Sequence, residues 1–314
     1  MIHLICPNPA VDRTLLFESI HYAVPNRPIE VREFPGGKSF NVAYAYTYDS
    51  EPSNITIHTM LGGLYGQHIK NLATERGYHV IDTKVNQNSR LCNILVDTSE
   101  ASIIPVYEKG FDLDDSLLKD FTTNLIKNIK DGDTIVFSGS LMQGMPDTYI
   151  ADIQDALRKQ GLSVKLCVDT SGEALVEAYK AKPYLIKIND EEILDLFPNE
   201  SLETIEDYQA LLKNKVDPEI EHFVITLGSK GVIGRMNGEF YFGKSEKVES
   251  KNPVACGDFF LGRLTKGLID DSISPIEIIE DALLFATANV LSWYPEITSE
   301  ALEQVKPLIE AKKI

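Results

Sequence analysis

The chain has 314 residues, 43% of them hydrophobic and 25% charged, with a net charge of −17 and a pI of about 4.8. That length supports a core that needs no disulfide staples, and the acid excess argues against nucleic acid or an anionic membrane surface as partners. Cys6, Cys92, Cys167 and Cys256 form no C-x-x-C pair and the six histidines no H-E-x-x-H spacing, so a His-based metal site is not expected. No basic leader with a long apolar run opens the chain, and no stretch approaches the roughly 20 apolar residues of a membrane span. A reduced, cytoplasmic protein is the expectation.

Taken in chain order, residues 2–6 read as a first strand. Asn8-Pro9-Ala10-Val11-Asp12 follows it, and a carboxylate at a strand's carboxyl end can accept two hydrogen bonds from adjacent ligand hydroxyls. An Asx turn is the commoner use of such an Asp. Residues 14–34 and 90–107 then break the helix-strand rhythm. Alternation at 30–34, 91–96 and 102–106, the last two around the polar turn Asp97-Thr98-Ser99-Glu100, predicts a small inserted sheet. Between them, Pro35-Gly36-Gly37-Lys38-Ser39-Phe40-Asn41 reads as strand, Gly-Gly turn and helix (39–48). It is not a Walker A loop, because Arg32 stands where that motif needs its first Gly. Two glycines instead let backbone approach a ligand, and Asn41 offers it both a donor and an acceptor.

Strands at 55–60, 134–137, 164–168, 184–187 and 223–226 alternate with helices at 65–76, 147–159 and 191–196. This β-then-α succession predicts parallel strands with helices on both faces, and ligands beyond the strands' carboxyl ends. Three later exits carry polar clusters: Asp169-Thr170-Ser171-Gly172, Lys187 to Glu192, and Thr226-Leu227-Gly228-Ser229-Lys230-Gly231. From 257 onward three helices are expected, at 257–269, 275–292 and 299–312. The first begins within Asn252-Pro253-Val254-Ala255-Cys256-Gly257-Asp258-Phe259. A helix start offers free N–H groups and a positive dipole end to a phosphate, and Asp258 there can take a proton from an attacking hydroxyl. Asp is also an ordinary N-cap.

The full set resembles the PfkB/ribokinase-type carbohydrate kinases, in particular the branch acting on phosphorylated ketohexoses. The likeness runs in order through Asp12, Gly36-Gly37-Lys38 with Asn41, Ser138-Gly139-Ser140, Asp169 to Leu175, Lys187 with Asn189 and Glu192, Thr226-Leu227-Gly228 and Gly257-Asp258. It implies one three-layer α/β/α domain over residues 1–314, with a mainly parallel central sheet and a β-sheet lid from about 13–35 and 89–108. It also implies ATP and Mg²⁺ as cofactors and a phosphosugar as substrate, with Asp258 as general base. The N–H groups of Ala255, Cys256 and Gly257 become an anion hole. Asp12, Gly36, Gly37, Asn41 and Ser138 fall on the sugar, and Arg90, Lys38 and Arg27 are the cations for its phosphate. Lys187, Asn189, Thr226, Gly228, Gly231 and Asn289 fall on the nucleotide, and Glu192 on the metal through water. A homodimer through the lid sheet is a further expectation.

The chain departs from the family pattern at four places. Ala255, Ser39 and Ile188 stand where Gly, Gly and Pro are usual, and Phe259 where a small polar residue is. The leading reading is a kinase for fructose 1-phosphate or tagatose 6-phosphate. A catalytically weak sugar-phosphate sensor on the same fold, and a kinase for an unphosphorylated sugar or nucleoside, are the alternatives.

Overall fold

A computed structural model describes residues 1–314. Strands β1 (Ile2–Cys6), β2 (Ala10–Phe17), β3 (Glu30–Gly36), β4 (Ile55–Gly62), β5 (His79–Val85), β6 (Arg90–Asp97) and β7 (Ser102–Tyr107) come first, with helices α1 (Lys38–Thr47) and α2 (Gly63–Glu75) among them. Then β8 (Thr134–Ser138), β9 (Lys165–Asp169), β10 (Leu185–Asn189) and β11 (His222–Thr226) alternate with α3 (Asp115–Ile126), α4 (Tyr149–Lys159), α5 (Gly172–Lys180), the short α6 (Ile193–Leu196) and α7 (Ile205–Asn214). The chain continues through β12 (Val232–Met236), β13 (Glu239–Ser245), α8 (Cys256–Ile269), α9 (Pro275–Asn289), α10 (Ser299–Val305) and β14 (Ile309–Lys313). No helix is long and apolar enough to cross a membrane.

Ten strands form the main sheet in the order β14-β13-β12-β11-β10-β9-β8-β1-β4-β5. From β11 to β5 the pairing is parallel, and β12, β13 and β14 add antiparallel at one edge. Every residue of β1 and β4 is buried. Helices cover both sheet faces, which is why these strands read as unbroken apolar runs instead of alternating. On one face α1, α2, α8 and α9 contribute Phe40, Ile69, Leu261, Leu264 and Ile278 to the largest core cluster. On the other, α3 and α4 bring Phe121, Leu125, Ile150 and Ile153, and α5 and α7 bring Leu175 and Leu211. This is the three-layer α/β/α arrangement expected from the sequence. From β1 the chain builds out through β4 and β5 on one side and β8 to β11 on the other, so the crevice opens at the carboxyl ends near β1 and β8.

The small sheet has the order β3-β2-β6-β7. β6 and β7 form the expected antiparallel hairpin, whereas β2 and β6 are parallel. Asp12 therefore lies inside a strand, opposite Phe34 and Cys92, and not in an Asx turn.

The expected last helix over 299–312 is corrected. α10 stops at Val305, Lys306–Leu308 form a 3-10 turn around Pro307, which has no N–H to donate, and β14 follows. Ile309 and Ala311 pack toward the core while Glu310 and Lys312 face solvent, a two-residue period that pairs with β13. α9 also ends at Asn289, short of residue 292. Its start is set by Ser274 and Glu277 in a reciprocal capping box with Pro275 at the first helical position.

Candidate active site

A cleft of about 1020 Å³ lies over the strand ends, roomy enough for two small ligands side by side. The small sheet and the start of α1 wall one part of it. The ends of β10 and β11, the segment leaving β13, the turn before α8 and one side of α9 wall the rest.

Asp258 sits in the first turn of α8 and is 6% exposed. Its Oδ2 accepts a hydrogen bond of 2.9 Å from Asn41 Nδ2. The two meet because α1 and α8 pack unusually close at Gly262, where an added Cβ would lie 2.6 Å from the Val42 carbonyl oxygen. Burial pushes the Asp258 carboxyl up to about 7, against the pull of the Lys38 charge and the Asn41 hydrogen bond. A carboxyl so placed is poised to exchange a proton near neutrality.

Ala255 precedes α8 in the left-handed region, at φ 73° and ψ −5°. No side chain caps the helix. The N–H groups of Ala255 and Gly257 make no hydrogen bond, and that of Cys256 makes only a 3.5 Å one to Pro253 O. These donors and the dipole end are free for an anion. Lys187 Nζ adds charge beside them, within 3.2 Å of where a Cβ on Gly257 would lie. It is paired with Asp169 Oδ2 at 2.9 Å, and both side chains are buried. Burial opposes the Lys187 charge, but Asp169 overrides it and holds the ammonium above its ordinary range.

Around the small sheet, Gly36 makes room for Asp12: an added Cβ would lie 2.2 Å from Asp12 Cγ. Gly37 caps α1 at φ 115°. Burial pushes Asp12 up to about 6, opposed by the Arg90 charge and the Gly37 N–H. Arg90 is posted by two carbonyls, donating to Asn8 O at 3.0 Å and Glu108 O at 3.3 Å, and its buried Nε has no partner. Lys38 is exposed, makes no ion pair and lies across Gly139. The small sheet is fastened to the body along β3. Tyr294 Oη donates to Glu30 at 2.8 Å, Arg32 lies over the Tyr294 ring and reaches Glu296 at 3.3 Å, and His68 meets Glu33 at 2.8 Å.

On the remaining side, Thr226, Gly228 and Gly231 line the cleft, the two glycines at φ 56° and 111°. Asn189 and Glu192 are tied to each other. Asn189 Oδ1 accepts the N–H groups of Glu191 and Glu192 at 2.8 Å, and Glu192 Oε2 accepts that of Asn189 at 2.8 Å. This leaves Oε1 of Glu192 without a protein partner. No group of three or more His, Cys, Asp or Glu side chains converges to hold a metal ion. Such a donor set suits a Mg²⁺ that arrives with phosphates and keeps its waters, not a caged ion.

Four expected residues do not line the cleft, Gly36 among them, which sits behind Asp12. Arg27 is exposed and makes no ion pair. Ser138 ends β8 next to Asp169, with its buried Oγ unpartnered. Asn289 is 1% exposed and spends its amide on Val254 O and Cys256 Sγ. Sequence reasoning missed Cys92 and Ile94, which line the cleft with Arg90 at the two-residue period of β6. It also missed Leu283, Ala286, Thr287 and Val290, whose spacing of three, four and seven marks one helical stripe and forms an apolar slot. Of the four departures, Phe259 is fully buried against Tyr44 and Phe285, Ser39 donates to Ile5 O at 2.7 Å, and Ile188 is core. Only Ala255 touches the site.

Comparison with known proteins bears on the family and the fold. Residues 8–294 match the model of the pfkB family of carbohydrate kinases. A tagatose-6-phosphate kinase of Staphylococcus epidermidis is 26% identical over 317 residues, covering all of both chains. Among solved structures, phosphofructokinase-2 from Escherichia coli in complex with substrates and products superposes with a TM-score of 0.84, at 22% identity and 98% coverage of each chain. That likeness carries the ribokinase-like fold, and the family match spans nearly the whole sequence. This chain belongs to the pfkB family of carbohydrate kinases.

Proposed function

We propose that this kinase transfers the γ-phosphoryl group of ATP to a hydroxyl of a ketohexose phosphate, fructose 1-phosphate or tagatose 6-phosphate. The observation that carries the reading is the buried Asp258, set beside unpaired N–H groups and Lys187, with Asn41, Asp12 and Arg90 on its other side. Asp12 and Asn41 orient the sugar hydroxyls, and Asp258 accepts the proton of the attacking one. The N–H groups of 255–257 and Lys187 stabilise charge on the phosphoryl group in flight, which is most of what such a transfer needs. Mg²⁺ carried by the nucleotide would offset phosphate charge, with Glu192 the carboxylate available to it through water. The stripe of Leu283, Ala286 and Val290 offers an apolar seat for the base.

Arg90 supports a substrate that already bears a phosphate. Its guanidinium is held by carbonyls and forms no ion pair, so donors remain for a phosphate even though its charge is felt by Asp12. The S. epidermidis relative's name points to tagatose 6-phosphate as the first sugar to test. The small sheet then serves as a lid from about 13–35 and 89–108 of one domain. Its exposed Val31, Ile104 and Val106, on the face turned away from the cleft, offer a surface for a second copy. All four cysteines are free thiols, which fits the cytoplasm.

A coupled ADP-release assay across tagatose 6-phosphate, fructose 1-phosphate, fructose 6-phosphate, unphosphorylated hexoses and nucleosides tests the proposal. Preference for the first two supports it. Turnover of unphosphorylated acceptors alone, or of none, overturns it.

A further inference from the structure

We propose that Asn289 is a positioning residue that holds the phosphate-facing turn 252–257 in its working shape; this rests on the anion-hole reading above. The turn has a strained centre. Ala255 lies at φ 73°, a region that crowds any residue carrying a Cβ and persists only where surroundings impose it. Nothing caps the helix that follows. What imposes the shape comes from the end of α9. Asn289, 1% exposed, donates through Nδ2 to Val254 O at 2.8 Å and to Cys256 Sγ at 3.3 Å. One buried amide thus spans both neighbours of the strained residue.

A second buried amide backs it. Asn252, 4% exposed, accepts the Val254 N–H at 3.0 Å and donates to Trp293 O at 3.1 Å. Val290 O accepts the N–H groups of Lys251 at 2.7 Å and Asn252 at 3.3 Å. Asn252 and Val290 fix where the turn begins. Asn289 alone bridges across Ala255. Without that bridge Ala255 relaxes out of the left-handed region, and the free N–H groups of Ala255 and Gly257 no longer point at one anion. Asp258 keeps its tie to Asn41, so sugar binding is spared and phosphoryl transfer is not.

The test compares wild type, Asn289→Ala, Ala255→Gly and the double variant in the ADP-release assay, with tagatose 6-phosphate or fructose 1-phosphate as acceptor. The same four proteins are melted, and Asn289→Ala is crystallised. Asn289→Ala is expected to lose roughly tenfold in kcat, the size of one left-handed penalty, with the sugar KM within about twofold. Adding Ala255→Gly to it should restore most of kcat, because glycine adopts this conformation without a Cβ clash. A merely structural Asn289 would lower the melting temperature in both backgrounds and give no such rescue. The proposal is overturned by wild-type kcat in Asn289→Ala, by a double variant no faster than Asn289→Ala, or by a crystal structure in which Ala255 stays at positive φ without the amide. The crystal structure decides even if neither sugar is turned over. Full turnover by Asp258→Asn, run alongside, strikes instead at the base assignment, so the two failures are told apart.

Discussion

Asp258→Asn should make the protein inactive and more stable at once, because the burial that tunes this carboxyl also makes its charge costly. Loss of a positioned general base is worth on the order of 10²- to 10⁴-fold in turnover. The stability gain follows from proton linkage. Burial moves the carboxyl from 3.8 to about 7, so the folded chain holds the proton more tightly than the unfolded one. Stability from this group is therefore present in acid and lost as pH rises through about 7. At about 1.4 kcal/mol per pKa unit, the full loss is at most on the order of 4 kcal/mol, and between pH 5 and 8 it is about 2 to 3 kcal/mol. Asparagine escapes that cost and keeps an oxygen for Asn41. Unfolding entropy of about 2 cal/mol/K per residue over 314 residues converts 1 kcal/mol to roughly 1.5 °C. The melting gap between variant and wild type should thus widen by about 4 °C from pH 5 to pH 8 in ligand-free protein. Wild-type kcat/KM should fall below pH about 7, as the base takes up its proton. A gap that does not change with pH would sink the burial argument, and retained turnover would sink the role of Asp258.

Two further substitutions probe the sugar side. Arg90→Ala should raise the KM for the sugar phosphate by about 10- to 100-fold, the weight of lost charge-assisted hydrogen bonds, while the KM for ATP stays within about twofold. An unchanged sugar KM would move the phosphate elsewhere. Gly36→Ala forces a methyl into the space of the Asp12 carboxyl, with 2.2 Å between the added carbon and Cγ. The sugar KM should rise by about tenfold or more and stability fall by roughly 1–3 kcal/mol. Normal sugar kinetics in a folded Gly36→Ala would show that Asp12 does not need its present position.

Much of the fold was legible because its signals are local and repeated. Apolar runs such as Ile2–Cys6 read as strands and proved to be buried on both faces, and the polar residues at their ends pointed to where a ligand belongs. Asp258, Asn41 and Lys187 do lie together, though 217 residues separate the two that touch. The unread parts depend on distant partners. Ile309–Lys313 becomes a strand only because the edge of β13 awaits it. Leu283, Ala286 and Val290 look in sequence like any core stripe, and the empty space beside them comes from the turn before α8 and the β13 exit. Phe259 reads as an intruder in the motif, yet helix geometry turns it away from Asp258 into the cluster with Phe285. The left-handed Ala255 is the opposite case. Its position was flagged by a missing glycine, while the amide that tolerates the alanine lies 34 residues downstream, on another helix.

The fastening of the small sheet has a mechanical corollary. Glu30, Arg32 and Glu33 all project from β3, so the bonds to Tyr294, Glu296 and His68 run along a single margin. The opposite margin, β7, is largely exposed and has Pro105 in its middle. A plate riveted along one side swings about the rivets, and its far side travels most. Tyr107, which lines the cleft from that far side, is the part of the sheet most remote from the rivets, and Tyr294 and its neighbours stand where a pivot would be.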